Sequence, residues 1–126
     1  MTTRATYQFK YPKATHTYYI NEHGHLAGAA RYFKKALEFC ADTSRKYSVI
    51  PNRDLRNSFV FANDVMITDS HERHYNTEYR YNVEPRNGEY HIEAYKRVSH
   101  SSEEFECAYK GNLEDFISLV LLERAA

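Results

Sequence analysis

The sequence contains no tryptophan and only two cysteines, three prolines and four glycines among 126 residues. Four scattered glycines form no glycine-rich phosphate-binding loop, and the Gly-x-Ser-x-Gly motif of a nucleophilic serine does not occur. Cys40 and Cys107 are far apart and form no Cys-x-x-Cys pair, so we expect reduced thiols rather than a disulfide or a zinc site. The sequence therefore predicts a protein that is not an enzyme and holds no cofactor.

Long hydrophobic runs and net charge are also missing. No apolar stretch approaches the ~20 residues of a membrane span, and the N-terminus lacks the continuous apolar segment of a secretion signal. Seventeen basic residues balance seventeen acidic ones, which argues against a duplex-DNA binder with a globally basic surface. We expect a cytoplasmic protein without a membrane partner.

Aromatic residues, in contrast, are abundant, with twelve tyrosines and seven phenylalanines. Tyrosine buries its ring while its hydroxyl reaches water or a partner, so these residues suit both a thin core and a binding surface. No linker, repeat or low-complexity tract divides the chain. Residues 1–126 are therefore predicted to form a single α+β domain.

The stretch from Tyr75 to Ser99 specifies its own strand pairing. Asn87 and Gly88 predict a hairpin, because a type I′ turn needs φ > 0 at both central residues and these two residue types tolerate it best. One side of this hairpin is then mostly apolar, and the other carries complementary charges. The predicted opposed pairs include Val83 with Ile92, Tyr81 with Ala94 and Arg80 with Tyr95.

Periodicity predicts the remaining elements. Alternating residues favour two strands over 4–20, and a short apolar run favours another over 65–67. Apolar residues at helical spacing favour helices over 26–47 and within 54–64. A last helix is predicted to start after Asn112, which is a good N-cap.

One more strand is predicted over 104–110, where apolar and charged residues alternate. The element order without long crossovers predicts an α+β fold, with two or three helices on one face of an antiparallel, meander-rich sheet of about five to six strands. The other sheet face is expected to be polar and open to solvent. In the last strand, the residues predicted to share the buried face are Phe105, Cys107 and Tyr109.

Two stretches, residues 4–33 and the segment YKGNLEDFI from Tyr109, resemble small uncharacterised proteins of phages and prophages. In those proteins a strand ending in tyrosine runs into a His-rich Asp-Gly-Tyr-Pro turn and then a helix. Here the glycine is kept, while His23, His25 and Leu26 replace the other three residues. The resemblance implies an origin on a mobile element, where many small proteins bind and block host machinery.

Seven histidines raise the question of a metal site. His23 and His25 lie in a predicted turn, and His71 and His74 lie in a polar loop, so a zinc or iron site is one hypothesis. Their spacing matches no established metal motif, and solvated loop histidines are the favoured interpretation. A metal-dependent enzyme that uses these histidines is the third functional alternative.

Charge is distributed unevenly along the chain. Residues 31–56 contain seven basic and three acidic side chains, whereas residues 101–123 contain six acidic and one basic. Ordinary solvated surfaces are one explanation. The others are an acidic edge that docks on a basic protein groove, or a basic patch that acts with the open sheet face on single-stranded nucleic acid.

The leading hypothesis is a non-enzymatic protein from a phage or mobile element that inhibits a host defence complex, of the anti-CRISPR kind, by occluding a functional surface. The alternative is a single-stranded nucleic-acid-binding protein, and a homodimer formed through a strand edge or sheet face is left open. The predicted protein contacts are Arg80, Tyr95, Arg97, Glu103, Glu104 and Glu106. The predicted nucleic-acid contacts are Lys34, Lys35, Arg45 and Lys46.

Overall fold

The structure, a computed structural model, describes residues 3–47, 55–63, 65–68, 70–71, 76–99 and 101–125, with side chains described outside 40–47 and 123–125. Within these ranges, six strands form one sheet and three helices cover one of its faces. The strands are β1 (Ala5–Lys10), β2 (Thr15–Ile20), β3 (Met66–Thr68), β4 (Tyr79–Arg86), β5 (Glu89–Arg97) and β6 (Phe105–Asn112). The helices are α1 (Leu26–Tyr47), α2 (Leu55–Ala62) and α3 (Leu113–Ala125).

The hairpin of β4 and β5 reverses at the predicted step. Asn87 and Gly88 have φ angles of 51° and 81°, and both lie in the left-handed region that a type I′ turn requires. This turn fixes the register of β4 against β5. The predicted register is confirmed in the pairs Tyr81–Ala94, Val83–Ile92 and Arg80–Tyr95.

The strand order across the sheet is β3-β2-β1-β4-β5-β6. Neighbouring strands run antiparallel except β1 and β4, which pair in parallel with Tyr7 beside Tyr81. Because β2, α1, α2 and β3 separate β1 from β4 along the chain, this parallel pairing is nonlocal. The predicted α+β class with a mostly antiparallel sheet is confirmed, although the sheet is mixed rather than a pure meander.

Aromatic rings from all three helices pack on one sheet face, which we call the helix side. Tyr7 of β1 lies 5.7 Å from Phe33 of α1 and 5.1 Å from Phe59 of α2, measured between ring centroids. Tyr81 of β4 lies 6.5 Å from Phe116 of α3. These five side chains are fully buried and form the centre of the core.

The first turn of α1 lies unusually close to the preceding chain. A Cβ atom at Gly28 would stand 1.8 Å from the carbonyl oxygen of His23, so only glycine fits at this position. The backbone N–H of Gly28 donates to Nδ1 of His25 at 3.1 Å, which satisfies one of the unpaired donors of the helix start. Ala29 and Ala30 then face the sheet with no exposed surface.

The two shorter helices were also predicted. In α2, Leu55 and Phe59 are fully buried. Asn112 caps α3 as expected, because its Oδ1 accepts hydrogen bonds from the backbone N–H groups of Glu114 at 2.8 Å and Asp115 at 3.2 Å. No helix in the described ranges has the length and apolar composition that crossing a membrane requires.

The face opposite the helices, which we call the polar side, carries Thr6 of β1, Asn82 of β4 and their polar neighbours. The connection from β3 to β4 passes β2 and β1, since β3 is at the sheet edge and β4 lies beyond β1. His71 in this connection lies on the polar side, with Nδ1 2.6 Å from Thr6 Oγ1 and Nε2 2.7 Å from Asn82 Oδ1. Both ring nitrogens are therefore engaged by the sheet.

The polar side is consequently divided into two halves. Over β1 and β2 it is buried, with Thr6 fully enclosed and Thr17 only 3% exposed. Over β4 and β5 the side chains are half-buried and reach solvent. The expectation of a polar face that is open throughout is therefore wrong over β1 and β2, because the chain returns across the sheet there.

Candidate functional site

The predicted contact residues of β4 and β5 lie together on the accessible half of the polar side. Arg80 is directly opposite Tyr95 in the hairpin, and Arg97 follows two residues later on the same face. All three side chains are half-buried, and the three helices pack on the other face of the sheet. The hairpin register alone brings these residues together.

The neighbouring strand β6 contains an irregularity that the sequence did not predict. Tyr109 lies opposite Ala94, but Cys107 rather than Ala108 lies opposite the next residue, Tyr95. Ala108 is thus an extra residue in a β-bulge, and the alternation of side chains changes face at this point.

The bulge places two predicted core residues on the polar side. Tyr109 packs against Phe116 at 5.1 Å on the helix side, while Phe105 and Cys107 lie on the opposite face. The prediction that all three strand residues share the buried face is therefore wrong. The extra residue is a small alanine that either face accommodates, so sequence patterning gave no sign of it and missed Phe105 as a polar-side residue.

Phe105 is the centre of a cation–π arrangement. The guanidinium carbon of Arg80 lies 4.2 Å from its ring centroid, and that of Arg97 lies 4.7 Å from it. Both distances fall within the ~6 Å at which such contacts are attractive. Together with the neighbouring tyrosine, these side chains form what we call the aromatic–arginine cluster: Arg80, Tyr95, Arg97 and Phe105.

Hydrogen bonds to the backbone hold one arginine of this cluster in place. Nε of Arg97 donates to the carbonyl oxygen of Thr77 at 2.9 Å, and Nη1 donates to the carbonyl oxygen of Ser102. These bonds connect the segment just before β4 with the loop between β5 and β6. The guanidinium group is therefore fixed before any partner binds, so little side-chain entropy remains to be lost on association.

A hydrogen-bonded network lies beside the cluster, centred on Glu93. The hydroxyl of Tyr95 donates to Oε1 of Glu93 at 2.8 Å, and the ammonium group of Lys110 lies 3.6 Å from Oε2. The hydrogen bond to Glu93 raises the pKa of Tyr95 to about 12. The same bond, helped by Lys110, holds the pKa of Glu93 below its usual value.

The three predicted acidic contacts do not form one edge. Glu103 and Glu104 are exposed in the loop between β5 and β6, near the aromatic–arginine cluster. The backbone of this loop is ordered by a hydrogen bond from the N–H of Val98 to the carbonyl oxygen of Glu104. Glu106 lies opposite Lys96, and that pair belongs to the helix side of the sheet.

A cavity of about 370 Å³ adjoins the cluster at the end of the sheet where β5 finishes. Its volume is in the range of small-ligand sites, and its lining is mixed in charge. The cavity gives this end of the sheet a concave shape. The lining residues are Thr3, His25, Glu78, Tyr79, Lys96, Arg97, Val98 and Ser99.

The basic residues predicted for nucleic-acid binding lie elsewhere. Lys34 and Lys35 are exposed on α1, which covers the helix side of the sheet. The side chains of Arg45 and Lys46 lie outside the described part of the structure. Lys34 and Lys35 therefore lie on the opposite side of the sheet from the aromatic–arginine cluster.

The four histidines of the metal hypothesis differ in their surroundings. His23 is exposed beside Glu22, and His25 caps α1 through its Nδ1 atom. His71 is bonded to the sheet through both ring nitrogens, and His74 lies outside the described residues. Among the residues with described positions, no group of three histidine, cysteine or carboxylate side chains could hold a metal ion.

Comparison with known proteins adds no family to this picture. No family model matches the chain, and neither a similar curated protein nor a similar solved structure is found.

Proposed function

We propose that this chain is a non-enzymatic binding protein that occludes a functional surface of a protein partner, with the polar side over β4, β5 and β6 as its contact face. The aromatic–arginine cluster carries the proposal, because two guanidinium groups are held against one aromatic ring beside Tyr95. Arginine and tyrosine are among the residues that dominate the binding energy of protein interfaces. Their fixed positions lower the entropic cost of association.

The charges around the cluster support a protein partner. Lys110 and Glu93 lie side by side on the polar side, and Glu103 and Glu104 are exposed in the adjoining loop. A face with charges of both signs around an aromatic centre suits a protein surface of complementary charge. It suits a phosphate backbone less, since each carboxylate would repel the phosphates.

The partner class in this proposal comes from the sequence. Residues 4–33 and the segment after Tyr109 resemble phage and prophage proteins, and small proteins of mobile elements often block host machinery. We therefore propose a host defence complex, of the CRISPR effector kind, as the target in the host cytoplasm. The mechanism is occupancy of a working surface and needs no catalytic group.

The proposal is tested with a panel of purified CRISPR effector complexes, by measuring equilibrium binding and inhibition of target-DNA cleavage. We expect at least one complex to be bound and inhibited. Tyr95→Ala and Arg80→Ala should each weaken binding by about tenfold or more, which is the scale of an interface hot spot. Lys34→Ala, on the exposed surface of α1, is the matched control and should bind as wild type does.

Two outcomes would refute separate parts of the proposal. If no effector complex is bound at micromolar concentration, the assignment of the target class is wrong. If a complex is bound and both polar-side variants keep wild-type affinity, the assignment of the contact face is wrong. Thermal unfolding of each variant shows whether any loss of binding comes from loss of fold.

Single-stranded nucleic acid, the alternative partner, is distinguished by salt. Phosphate contacts release counterions, so affinity for an oligonucleotide would fall steeply between about 50 and 200 mM salt. A labelled single-stranded oligonucleotide titrated at both salt concentrations provides the measurement. Salt-sensitive binding that Lys34→Ala weakens would favour the nucleic-acid alternative over the protein partner.

A further inference from the structure

We propose that the outer surface of α1 and α3 is an interface with a second copy of this chain, in which basic residues of α1 in one copy lie against acidic residues of α3 in the other. This surface is separate from the contact face proposed above, since the helices cover the helix side of the sheet and the aromatic–arginine cluster lies on the polar side. The inference therefore does not depend on the function of that cluster.

The outer surface of α1 carries a stripe of basic side chains. Arg31, Lys34 and Lys35 are all exposed and are spaced i, i+3 and i+4, so they lie along one face of the helix. In the described part of the chain, none of these three side chains forms a hydrogen bond or an ion pair. Glu38 follows one turn later, so positive charge still predominates on this face. Arg31 and Lys35 repel each other as a like-charged i, i+4 pair, and an acidic group from outside would relieve that repulsion.

The outer surface of α3 is acidic at its start and apolar beyond it. Glu114 and Asp115 are exposed in the first turn, and neither carboxylate forms an ion pair with a basic group among the described residues. Leu119 and Leu122 are 48% and 69% exposed. Asp115, Leu119 and Leu122 are spaced i, i+4 and i+7, so they share one face of the helix.

The inner face of α3 is apolar as well. Leu113, Phe116 and Ile117 are buried in the core. A helix with apolar side chains on opposite faces is typically covered on both of them. The composition of α3 therefore predicts that a further surface covers Leu119 and Leu122.

The basic and the acidic surface lie on neighbouring helices, so one molecule carries both halves of the interaction. α3 packs beside α1, and Leu37 of α1 and Leu113 of α3 line the same small cavity. A two-fold axis across this layer sets the basic stripe of each copy against the acidic start of α3 in the other, so the contact is made twice. A surface that is its own complement in charge favours a second copy over an unrelated protein as the occupant.

The size of this surface determines how strong the dimer can be. The 13 residues of α3, at a rise of ~1.5 Å per residue, span about 20 Å. Two helices packed ~10 Å apart present a layer about 20 Å wide, so two copies would bury roughly 800 Å² in total. That area is below the ~1,200 Å² of a stable interface, which predicts a weak dimer that forms at roughly tens of micromolar protein.

Sedimentation equilibrium of the full-length protein tests the proposal, over about 1 to 300 μM protein and at about 50 and 500 mM salt. We expect monomer at the lowest concentration and dimer at the highest, with a dissociation constant that rises about tenfold with salt, because salt screens exposed charges. Leu122→Lys should raise the dissociation constant by about tenfold or more, because it puts a charge into the apolar part of the interface. Ile67→Lys on β3, at a side chain that is 84% exposed, is the control and should dimerise as the wild type does.

Charge exchange tests the pairing of α1 with α3. Lys35→Glu and Glu114→Lys should each dissociate the dimer, because each sets like charges against one another across the two-fold axis. A mixture of the two variants should dimerise again, since each then supplies the charge that the other lacks. Thermal unfolding of each variant shows that it is folded before the mixture is made.

Three results would overturn the proposal. The first is a wild-type protein that stays monomeric at about 300 μM, and the second is a mixture of the two folded charge variants that stays monomeric. The third is a dimer that Ile67→Lys dissociates and Leu122→Lys leaves intact, because the contact would then lie at the sheet edge.

Discussion

At the scale of single residues, the hydroxyl of Tyr7 is a buried polar group without a hydrogen-bond partner in the described part of the chain. Tyr7 is fully buried among aromatic rings, and within the described structure its hydroxyl has no hydrogen-bond partner. A buried hydroxyl without a partner costs its desolvation free energy. We predict that Tyr7→Phe raises the free energy of unfolding by about 1 kcal/mol in urea denaturation.

The stacked neighbour of Tyr7 supplies the control. Tyr81 lies 4.9 Å from Tyr7 between ring centroids, but its hydroxyl donates to the carbonyl oxygen of Gly24 at 2.6 Å. Tyr81→Phe removes that hydrogen bond and should lower the free energy of unfolding by about 1 kcal/mol. Equal effects of the two variants would show that the hydroxyl of Tyr7 has a partner after all.

The pairing of Tyr95 with Glu93 makes a prediction about ionisation. Since the hydrogen bond to Glu93 raises the pKa of Tyr95 to about 12, Glu93→Gln should bring the pKa of Tyr95 back towards that of an ordinary tyrosine. Tyrosine ring resonances in an NMR titration between pH 9 and about 13 measure this shift. A Tyr95 that titrates near its ordinary value in the wild-type protein would contradict the network.

The same pKa has a consequence for stability. The folded protein holds the Tyr95 proton more tightly than the unfolded chain does. Protonated Tyr95 therefore stabilises the folded state to its full extent below about pH 10. This stabilisation is lost as the pH rises towards about 12, where Tyr95 ionises in the folded protein. The Glu93 carboxyl also stabilises the folded protein, but its dependence on pH is opposite. Its pKa is lowered on folding, so its stabilisation is lost as the pH falls through that lowered pKa.

At the scale of secondary structure, the N-cap of α3 can be tested directly. Asn112 accepts two backbone hydrogen bonds at the start of the helix. Asn112→Ala should therefore lower the free energy of unfolding by about 1 kcal/mol. Ser118→Ala, on the exposed surface in the middle of α3, is the control, and a loss of similar size there would argue against capping as the cause.

The elements divide clearly into those the sequence predicts and those it does not. The hairpin of β4 and β5 and the cap of α3 depend on residues close together in the chain, Asn87 with Gly88 and Asn112 with its followers. The bulge at Ala108 depends on how β6 meets β5, and a methyl group fits either face. Local patterning therefore found Arg80 opposite Tyr95 but assigned Phe105 to the wrong side.

At the scale of the whole molecule, two features required long-range information. The parallel pairing of β1 with β4 joins strands that are about 70 residues apart, for which no local pattern exists. This pairing also forces the chain between β3 and β4 across the polar side, where His71 bridges Thr6 and Asn82. The α+β class followed from the order of elements, whereas the burial of half the polar side did not.

The molecule as a whole therefore presents different chemistry on its two faces. Lys34 and Lys35 are exposed on the helix layer, while the aromatic–arginine cluster and the Glu93 network occupy the polar side over β4, β5 and β6. A partner that uses one face leaves the other free. Identifying the face that a bound partner covers therefore distinguishes the leading function from the nucleic-acid alternative.

The most direct measurement is hydrogen–deuterium exchange of the protein alone and bound to the effector complex identified in the inhibition panel. The proposed contact face predicts slower exchange in β5, in β6 and in the loop between them, and unchanged exchange on the exposed surface of α1. Slower exchange confined to α1, with β5 and β6 unaffected, would contradict the assignment of the polar side as the contact face.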